Sequence, residues 1–217
     1  MRPLTLTKPK PMLEVLGKPL LQHILEALPD AINEIIIVIG YLGEHIKLHF
    51  GNEFLGKKIA YIRQSEKLGT ERALRLCKDI LDGERFLMLY ADDLQSRENI
   101  ELVLKHPLSL LVKTVDDPRN FGVVVADERG RVLDLIEKPS MPISNLVLTG
   151  VKVLDERIFQ YPARKHPNGE YYITDSIAQM ARDHEIIAVT ASFWVPIGYP
   201  EDIKVAEVIL QKRNFIS

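Results

Sequence analysis

This sequence of 217 residues has one cysteine, no excess of basic residues and no long apolar run. The single cysteine, Cys77, excludes a disulfide framework within the chain and a zinc site of several cysteines, and it favours a reducing compartment. With 28 basic and 30 acidic residues, the net charge of −2 gives none of the basic excess that nucleic-acid binding requires. No run approaches the roughly 18 apolar residues of a membrane span. These absences predict a cytoplasmic protein that binds neither nucleic acid nor membrane.

Common phosphate-binding, nucleophile and metal motifs are missing or incomplete. The sequence has neither G-x-G-x-x-G nor G-x-S-x-G. Residues 51–57 (GNEFLGK) match most of a Walker A loop, but Lys58 stands where Ser or Thr should be, so we interpret the segment as a surface turn. His45 and His49 lie four apart without a nearby third ligand, which favours two solvated histidines over a metal site.

What the sequence does contain is an alternation of short apolar runs with helical patterns, which is typical of an α/β fold. In the first half the periodicities predict a parallel sheet covered by helices. The predicted helices lie at 19–28, 44–50 and 70–81, and the predicted strands lie at 34–39, 58–63 and 85–90. From Leu108 onward, four closely spaced strand patterns favour antiparallel pairing.

Acidic residues follow the strand predicted at 85–90. Asp92 and Asp93 stand where ligands collect in open α/β sheets, beyond the carboxyl end of a strand. Because successive strand residues point to opposite sides, we expect one of the two carboxylates to face a ligand, where it would suit magnesium. The alternative is a pair of turn residues that caps the helix predicted near Arg97.

Two further groups of charged residues have both a functional and a structural interpretation. Lys8 and Lys10 alternate with prolines that fix an extended backbone, so they could meet a polyphosphate or belong to a surface loop. Glu137 and Lys138 place an acceptor and a cation at another strand end, where an ion pair facing solvent is the alternative.

Ordered motifs along nearly the whole chain resemble the sugar-1-phosphate nucleotidyltransferase family, also called NDP-sugar pyrophosphorylases. The motifs are 3–5 (PLT), 8–13 (KPKPML), 17–20 (GKPL), Gln64, 68–70 (LGT), Asp92, 121–124 (FGVV), 136–139 (IEKP), Gly150 and 197–202 (IGYPED). Residues 169–175 (GEYYITD) particularly resemble enzymes that handle N-acetylglucosamine-1-phosphate with UTP, and related glucose-1-phosphate thymidylyltransferases.

The resemblance implies a Rossmann-like, mainly parallel mixed sheet flanked by helices, with an antiparallel sugar-binding subregion. It implies one domain over residues 1–217, with a nucleotide-binding half at 1–107 and a sugar-binding half at 108–217. The implied activity joins a nucleoside triphosphate, with UTP or dTTP favoured, to a hexose-1-phosphate and releases pyrophosphate. A catalytically inactive regulator or scaffold that binds nucleotide sugars is the alternative, and a guanylyl- or cytidylyltransferase is a third hypothesis. A homo-oligomer is left open.

The resemblance also assigns roles to individual residues. Lys10 would hold phosphates and neutralise charge during the in-line attack, and Asp92 would ligate Mg²⁺. Nucleotide binding would fall to Gln64, Gly69 and Thr70, with Gly69 allowing its backbone to approach the base. The residues implied at the sugar are Gly122, Glu137 and Gly150, with Lys138 paired to the sugar phosphate.

Two departures from the family pattern affect this interpretation. The chain starts at Met1 without the strand and G-x-G-T-R loop of the family, and Arg2 does not match the arginine of that loop. We expect Met1 to be an internal methionine of a longer reading frame. If the chain does start at Met1, we expect a sheet that has a gap or that borrows a strand from another chain. Pro196 occupies the position where many relatives have an acidic or Asn metal ligand.

Overall fold

The computed structural model describes residue 1 and residues 3–214, and these fall into two compact units. The first unit consists of the described parts of Met1–Arg63, Tyr90–Arg97 and Phe193–Ser217. The second unit consists of Gln64–Leu89 and Glu98–Ser192. Arg2 lies outside the described residues.

Short helices and strands alternate through the chain, as the sequence predicts. In chain order they are β1 (Glu14–Val15), β2 (Lys18–Pro19), α1 (Leu20–Glu26), β3 (Glu34–Ile39), α2 (Gly43–Phe50), β4 (Glu53–Phe54), β5 (Lys57–Arg63), α3 (Thr70–Arg75), β6 (Arg85–Leu89), β7 (Asp93–Gln95), α4 (Arg97–Leu104), β8 (Ser109–Thr114), β9 (Gly122–Ala126), β10 (Val132–Glu137), β11 (Leu146–Asp155), α5 (Ile173–Asp183), β12 (Ile187–Thr190), β13 (Trp194–Pro196) and α6 (Pro200–Asn214). Short 3-10 helices cover Lys10–Met12 and Glu156–Gln160. None of the described helices is both long and apolar enough to cross a membrane.

In the first unit, β3 and β5 form the predicted parallel pair. Their register runs from Glu34 opposite Lys58 to Ile39 opposite Arg63. Strand β4 pairs antiparallel with β5, so the Walker-like segment forms a hairpin where the sequence predicts a surface turn. Along its other edge β3 pairs with no strand of the described residues.

A second element of the first unit is the antiparallel pair of β7 and β13, which lies beside a small apolar core. The buried members of this core come from both ends and the middle of the chain: Leu13, Val15, Leu20, Leu94, Val195, Ile197 and Ala206. Helix α1 presents Leu20, Leu21, Ile24 and Leu25 on its buried face, as their helical spacing predicts. The packing therefore holds β7, and with it the acidic residues at its start, against residues 13–20 and 195–206.

The second unit is built on a six-stranded sheet. Its strands lie in the order β10-β9-β11-β8-β12, with β6 added on β11. All pairings are antiparallel except that of β12 with β8, which confirms the predicted antiparallel subregion. Helix α5 packs against β10 and buries Ile173, Ile177 and Met180.

Two predicted elements differ from the structure. The strand at 85–90 was expected in the parallel half, but β6 pairs antiparallel with the second half of β11, from Leu89 opposite Val151 to Arg85 opposite Asp155. An apolar run does not specify the direction of its partner, and this partner lies about 60 residues later. The helix predicted at 70–81 ends at Arg75, after which i to i+3 bonds such as Lys78 N–H to Arg75 O form tighter turns.

Candidate active site

Lys10 and Asp92 form an ion pair in the first unit. The Nζ of Lys10 lies 2.5 Å from Oδ2 of Asp92, and the two side chains are 28% and 38% exposed. Lys10 is the first residue of the 3-10 helix that follows Pro9. The backbone of Pro9 is extended, and its carbonyl oxygen accepts a hydrogen bond from Met12 N–H, which fixes where the helix begins. Two predicted site residues that are 82 positions apart thus contact each other directly.

Asp93 faces a different partner from Asp92. The indole Nε1–H of Trp194 donates a hydrogen bond of 2.9 Å to Oδ2 of Asp93. The backbones of the two strands are also paired. Asp93 lies opposite Pro196, and the carbonyl oxygen of Asp92 accepts a hydrogen bond from Ile197 N–H at 2.9 Å. The two carboxylates have different partners, since Asp92 contacts the lysine and Asp93 joins β7 to β13. That Asp92 faces a ligand stays a prediction.

The oxygen set around Asp92 fits a magnesium ion that is bound mainly by phosphates and water. Asp92 is partly exposed and makes one side-chain hydrogen bond among the described residues, so its carboxylate has acceptor capacity left. Pro196 lies in β13 opposite Asp93 and adds no side-chain ligand. No cluster of three or more His, Cys, Asp or Glu side chains with metal-binding geometry occurs in residues 1 and 3–214. Mg²⁺ accepts such a site, since it often takes one or two carboxylates and keeps its waters.

In the second unit, Gly69 and Thr70 join the start of α3 to residues 171–173. A Cβ on Gly69 would lie 2.4 Å from the carbonyl O of Tyr171, and the φ of +92° and ψ of −179° are accessible almost only to glycine. Thr70 Oγ1 accepts from Ile173 N–H at 3.0 Å. The missing side chain of Gly69 makes room for Tyr171; the contacts of Gly69 and Thr70 with a nucleotide stay predictions.

Gln64 carries a buried amide nitrogen. Its Nε2 atom is shielded from solvent and has no hydrogen-bond partner among the described residues. An unpaired buried donor costs free energy of about 1–3 kcal/mol, so it is suited to a ligand acceptor that would pair with it. This observation supports the prediction that Gln64 binds the nucleotide.

Glu137 is a nearly buried carboxylate that a hydroxyl holds in place. Its side chain is 9% exposed, and Thr174 Oγ1 donates to its Oε2 at 2.6 Å. Gly122 lies opposite Glu137 across β9 and β10. A Cβ at Gly122 would lie 3.3 Å from Thr174 and 3.4 Å from Glu137, so glycine keeps this corner open. Of the predicted sugar-binding residues, Gly122 and Glu137 are therefore neighbours.

Lys138 adopts an unusual backbone conformation next to Glu137. Its φ of +42° is left-handed, which costs about 1–3 kcal/mol for a residue other than glycine. Its N–H donates to Phe121 O at 3.0 Å, while Nζ lies 3.8 Å from Glu137 Oε1 and 5.1 Å from the ring centre of Tyr172. The strain turns a half-exposed ammonium group toward the residues around Glu137.

The last predicted sugar-binding residue, Gly150, lies within β11 at an irregularity of the sheet. The register of β11 against β8 shifts between Leu148 and Lys152, so extra residues bulge from the ladder. Thr149 within this bulge is fully buried and donates to Leu111 O at 2.9 Å. The bulge explains why a glycine is accommodated in the middle of a long apolar strand.

Three contacts of these sites were not predicted as functional. Thr174 lies in the GEYYITD segment, which carries the family resemblance but assigns no function to this residue. Trp194 and the backbone of Tyr171 act through tertiary contacts for which the sequence carries no local pattern. Tyr172 belongs to the same region: burial, followed by a hydrogen bond to Glu170, raises the pKa of its phenol.

A nucleotidyl transferase family model matches residues 1–213 of the chain. The chain belongs to the nucleotidyl transferase family. A curated relative of this family, the bifunctional protein GlmU of Methanocaldococcus jannaschii, is 35% identical over 99% of the chain, which spans only 52% of that relative. The UTP–glucose-1-phosphate uridylyltransferase AglF of Haloferax volcanii is also 35% identical, over 99% of the chain and 93% of its own length.

Solved structures agree with this nucleotidyl transferase fold. A protein described as a glucose-1-phosphate thymidylyltransferase from Bacillus anthracis superposes with a TM-score of 0.84 at 26% identity, covering 96% of this chain and 89% of its own. A UDP-glucose pyrophosphorylase with bound UDP-glucose gives a TM-score of 0.86 at 24% identity, covering 98% and 94%. These matches confirm the predicted nucleotide-diphospho-sugar transferase fold.

Proposed function

We propose that the chain transfers a nucleotidyl group from a pyrimidine nucleoside triphosphate, UTP or dTTP, to a hexose-1-phosphate. The Lys10–Asp92 pair carries this proposal, because an ammonium group and a carboxylate suited to a metal ion lie side by side at a strand end. Family membership and a relative named as a UTP–glucose-1-phosphate uridylyltransferase support it. We assign nucleotide binding to residues 1–107 and sugar binding to 108–217.

The proposed reaction is one in-line displacement. A phosphate oxygen of the sugar-1-phosphate forms a bond to the α-phosphorus, and the bond from that phosphorus to the bridging oxygen breaks, so pyrophosphate leaves with its electron pair. Lys10 would neutralise charge on the phosphates, and Asp92 would hold Mg²⁺, which supplies further charge neutralisation when bound. Because no protein nucleophile is needed, the absence of a nucleophile motif is consistent with this chemistry.

The second unit supplies groups of the kind that sugar recognition requires. Glu137 is positioned by Thr174 and is suited to accept hydrogen bonds from hydroxyl groups. Lys138 offers a cation for the sugar phosphate, and Gly122 leaves space beside the carboxylate. We place the reaction in the cytoplasm because the single cysteine favours a reducing compartment.

One observation favours a second candidate, an inactive chain that binds nucleotide sugars. Pro196 lies opposite Asp93 in β13 and contributes no second side-chain ligand for a metal. Weak metal binding would leave substrate binding intact while turnover falls. Pro196→Asp should therefore raise magnesium-dependent turnover if the transferase proposal is right.

The experiment incubates the purified chain with UTP or dTTP, Mg²⁺ and a set of hexose-1-phosphates, and measures pyrophosphate release together with the NDP-sugar formed. Equal amounts of both products that disappear with a chelator support the transferase. Calorimetry with UDP-glucose is run on the same preparation. Binding without turnover would replace the transferase by the inactive binder, and neither binding nor turnover would refute both.

A further inference from the structure

A cavity of about 380 Å³ opens on the second unit, apart from the residues assigned above. Its polar lining comes from His106, Arg129, Arg157, His184 and Glu185. This volume lies in the range of about 300–1,000 Å³ that is typical of small-molecule sites.

The cavity lies at the opposite end of β10 from Glu137. Arg129 belongs to the turn that leads into β10, and Glu137 ends that strand. Five steps of about 3.4 Å separate the ends of β10 by about 17 Å. Because Gly122 pairs with Glu137 and Ala126 pairs with Val132, Gly122 and Glu137 lie together at the far end of β10. The cavity is therefore distinct from the group formed by Gly122, Glu137 and Thr174.

One wall of the cavity is a fixed network of Asp155, Arg157 and His184. Arg157 Nη2 lies 2.5 Å from Asp155 Oδ2, and its Nη1 lies 3.1 Å from His184 Nδ1. Burial raises the pKa of Asp155, but the hydrogen bonds and charge of Arg157 outweigh it and hold the pKa below its ordinary value. Because an arginine can only donate, His184 Nδ1 accepts and the ring proton lies on Nε2. The network thus leaves an N–H donor on His184.

The other wall carries a charge that no acidic side chain compensates. The guanidinium group of Arg129 is exposed and makes no side-chain hydrogen bond or ion pair among the described residues. Its backbone is held firmly, since Asp127 Oδ1 accepts from the N–H groups of Arg129 and Arg131, each at 2.9 Å. A rigid turn therefore presents a free cation at the cavity.

The segment that carries His106 is also fixed. Arg85 donates to the carbonyl oxygens of Leu104, His106 and Pro107 at 2.6–3.0 Å. These bonds satisfy carbonyl groups at the end of α4, where the helix leaves them unpaired. The loop is thereby held in place without using the imidazole of His106, which no side-chain contact among the described residues engages.

We propose that this cavity binds small organic phosphates. Arg129 has no acidic partner among the described residues, whereas Arg157 is paired with Asp155. The lining adds the imidazole rings of His106 and His184 and a single carboxylate, Glu185. The fork of an arginine matches phosphate oxygens closely. The concave shape suits a metabolite better than a polymer, and the net charge of −2 gives no wider basic surface for nucleic acid. This proposal does not depend on the proposed function.

The test is a ¹⁵N NMR titration of the full chain at constant ionic strength, with inorganic phosphate and glucose 6-phosphate as probes. Glucose 6-phosphate lacks the 1-phosphate that the proposed reaction uses. We expect saturable shifts of the amides of Gly130, Arg131, Glu185 and Ile187, with glucose 6-phosphate binding more tightly. Arg129→Gln should weaken binding about tenfold, since it removes charge-assisted hydrogen bonds to the phosphate.

Arg182→Gln is the matched control, because Arg182 is exposed on α5 and does not line the cavity. It should change the Kd less than about twofold. Arg129→Lys keeps the charge but loses the fork of donors, so it should weaken binding less than Arg129→Gln does. Equal weakening by Arg129→Gln and Arg182→Gln, or shifts confined to residues 137–138 and 171–174, would overturn the site. Equal affinity for both probes would reduce it to a site for inorganic phosphate and refute the organic ligand.

Discussion

The two units hold their charged side chains in contrasting ways. In the first unit, Lys10 and Asp92 bind each other while both remain partly exposed. In the second unit, Glu137 is 9% exposed and accepts a hydrogen bond from the hydroxyl of Thr174, and Gly122 leaves space beside it. A solvated ion pair can exchange its partners for a metal and phosphates, because exposed pairs contribute only about 0–1 kcal/mol. The buried acceptor is fixed before any ligand arrives.

This difference suits the two proposed substrates. A triphosphate brings its own charge and metal, so a pair that separates readily can accept it. A neutral sugar ring is recognised through directed hydrogen bonds, which demand a fixed acceptor. We therefore expect changes in the first unit to affect turnover and changes around Glu137 to affect binding of the sugar phosphate.

The largest expected effect comes from Asp92→Asn, which removes the charge with little change of shape. Turnover should fall about 100-fold or more, as it does when a group that stabilises transition-state charge is lost. Steady-state kinetics over a range of Mg²⁺ concentrations measure this change. Asp93→Asn is the control, since Asp93 faces Trp194 and should leave turnover nearly unchanged. Equal losses in the two variants would contradict the division of the carboxylates.

Gly69→Ala should cause the largest loss of stability. The added Cβ would meet Tyr171 O at 2.4 Å, and the backbone conformation is unsuited to alanine. We expect the free energy of unfolding to fall by about 3–4 kcal/mol, measured by urea denaturation. Gly83→Ala provides the control: φ is +74° but no atom lies within 4 Å of the added Cβ, so the loss should be about 1–2 kcal/mol. Similar losses would show that the contact with Tyr171 is unimportant.

Thr174→Val should weaken recognition of the sugar phosphate. It removes the hydroxyl that donates to Glu137 while keeping the shape of the side chain. The KM for the hexose-1-phosphate should rise about tenfold with the KM for the nucleotide unchanged, since a hydrogen bond to a charged group contributes about 1.5–3 kcal/mol. Thr174→Ser should restore most of the affinity. A rise in the nucleotide KM instead would break the contrast between the units.

The smallest effect is expected at Asp117 in the second unit. Hydrogen bonds from Arg119 lower the pKa of Asp117 from 3.8 to about 2, although the pair is fully exposed. A pKa lowered by folding stabilises the protein above pH 3.8, and this contribution disappears as the pH falls towards 2. In Arg119→Gln, an NMR titration should find the pKa of Asp117 back near 3.8. Because solvent screens this fully exposed pair, its contribution to stability is small, and the urea midpoint at neutral pH should not change measurably.

Local pattern predicted much of the fold. The run EIIIVI predicts β3 with its observed bounds, and the apolar spacing of Leu20, Leu21, Ile24 and Leu25 predicts α1. The direction of β6 could not be predicted, because an apolar strand pairs equally well either way until its neighbour is known. The sequence likewise places Glu137 and Asp92 at strand ends. It does not predict their partners, because Thr174 lies 37 positions from Glu137 and Lys10 lies 82 positions from Asp92.

The sequence by itself determined the family, the alternation of helices and strands, and the charged residues at strand ends, since these depend on residue identity and short-range spacing. Only the tertiary structure decided that Asp92 binds Lys10 while Asp93 accepts from Trp194, and that Gly69 makes room for the backbone of Tyr171. It also gathered His106, Arg129, Arg157 and His184 around one cavity. The physical reason is that these contacts join distant segments through strand register and loop packing, which no local pattern encodes.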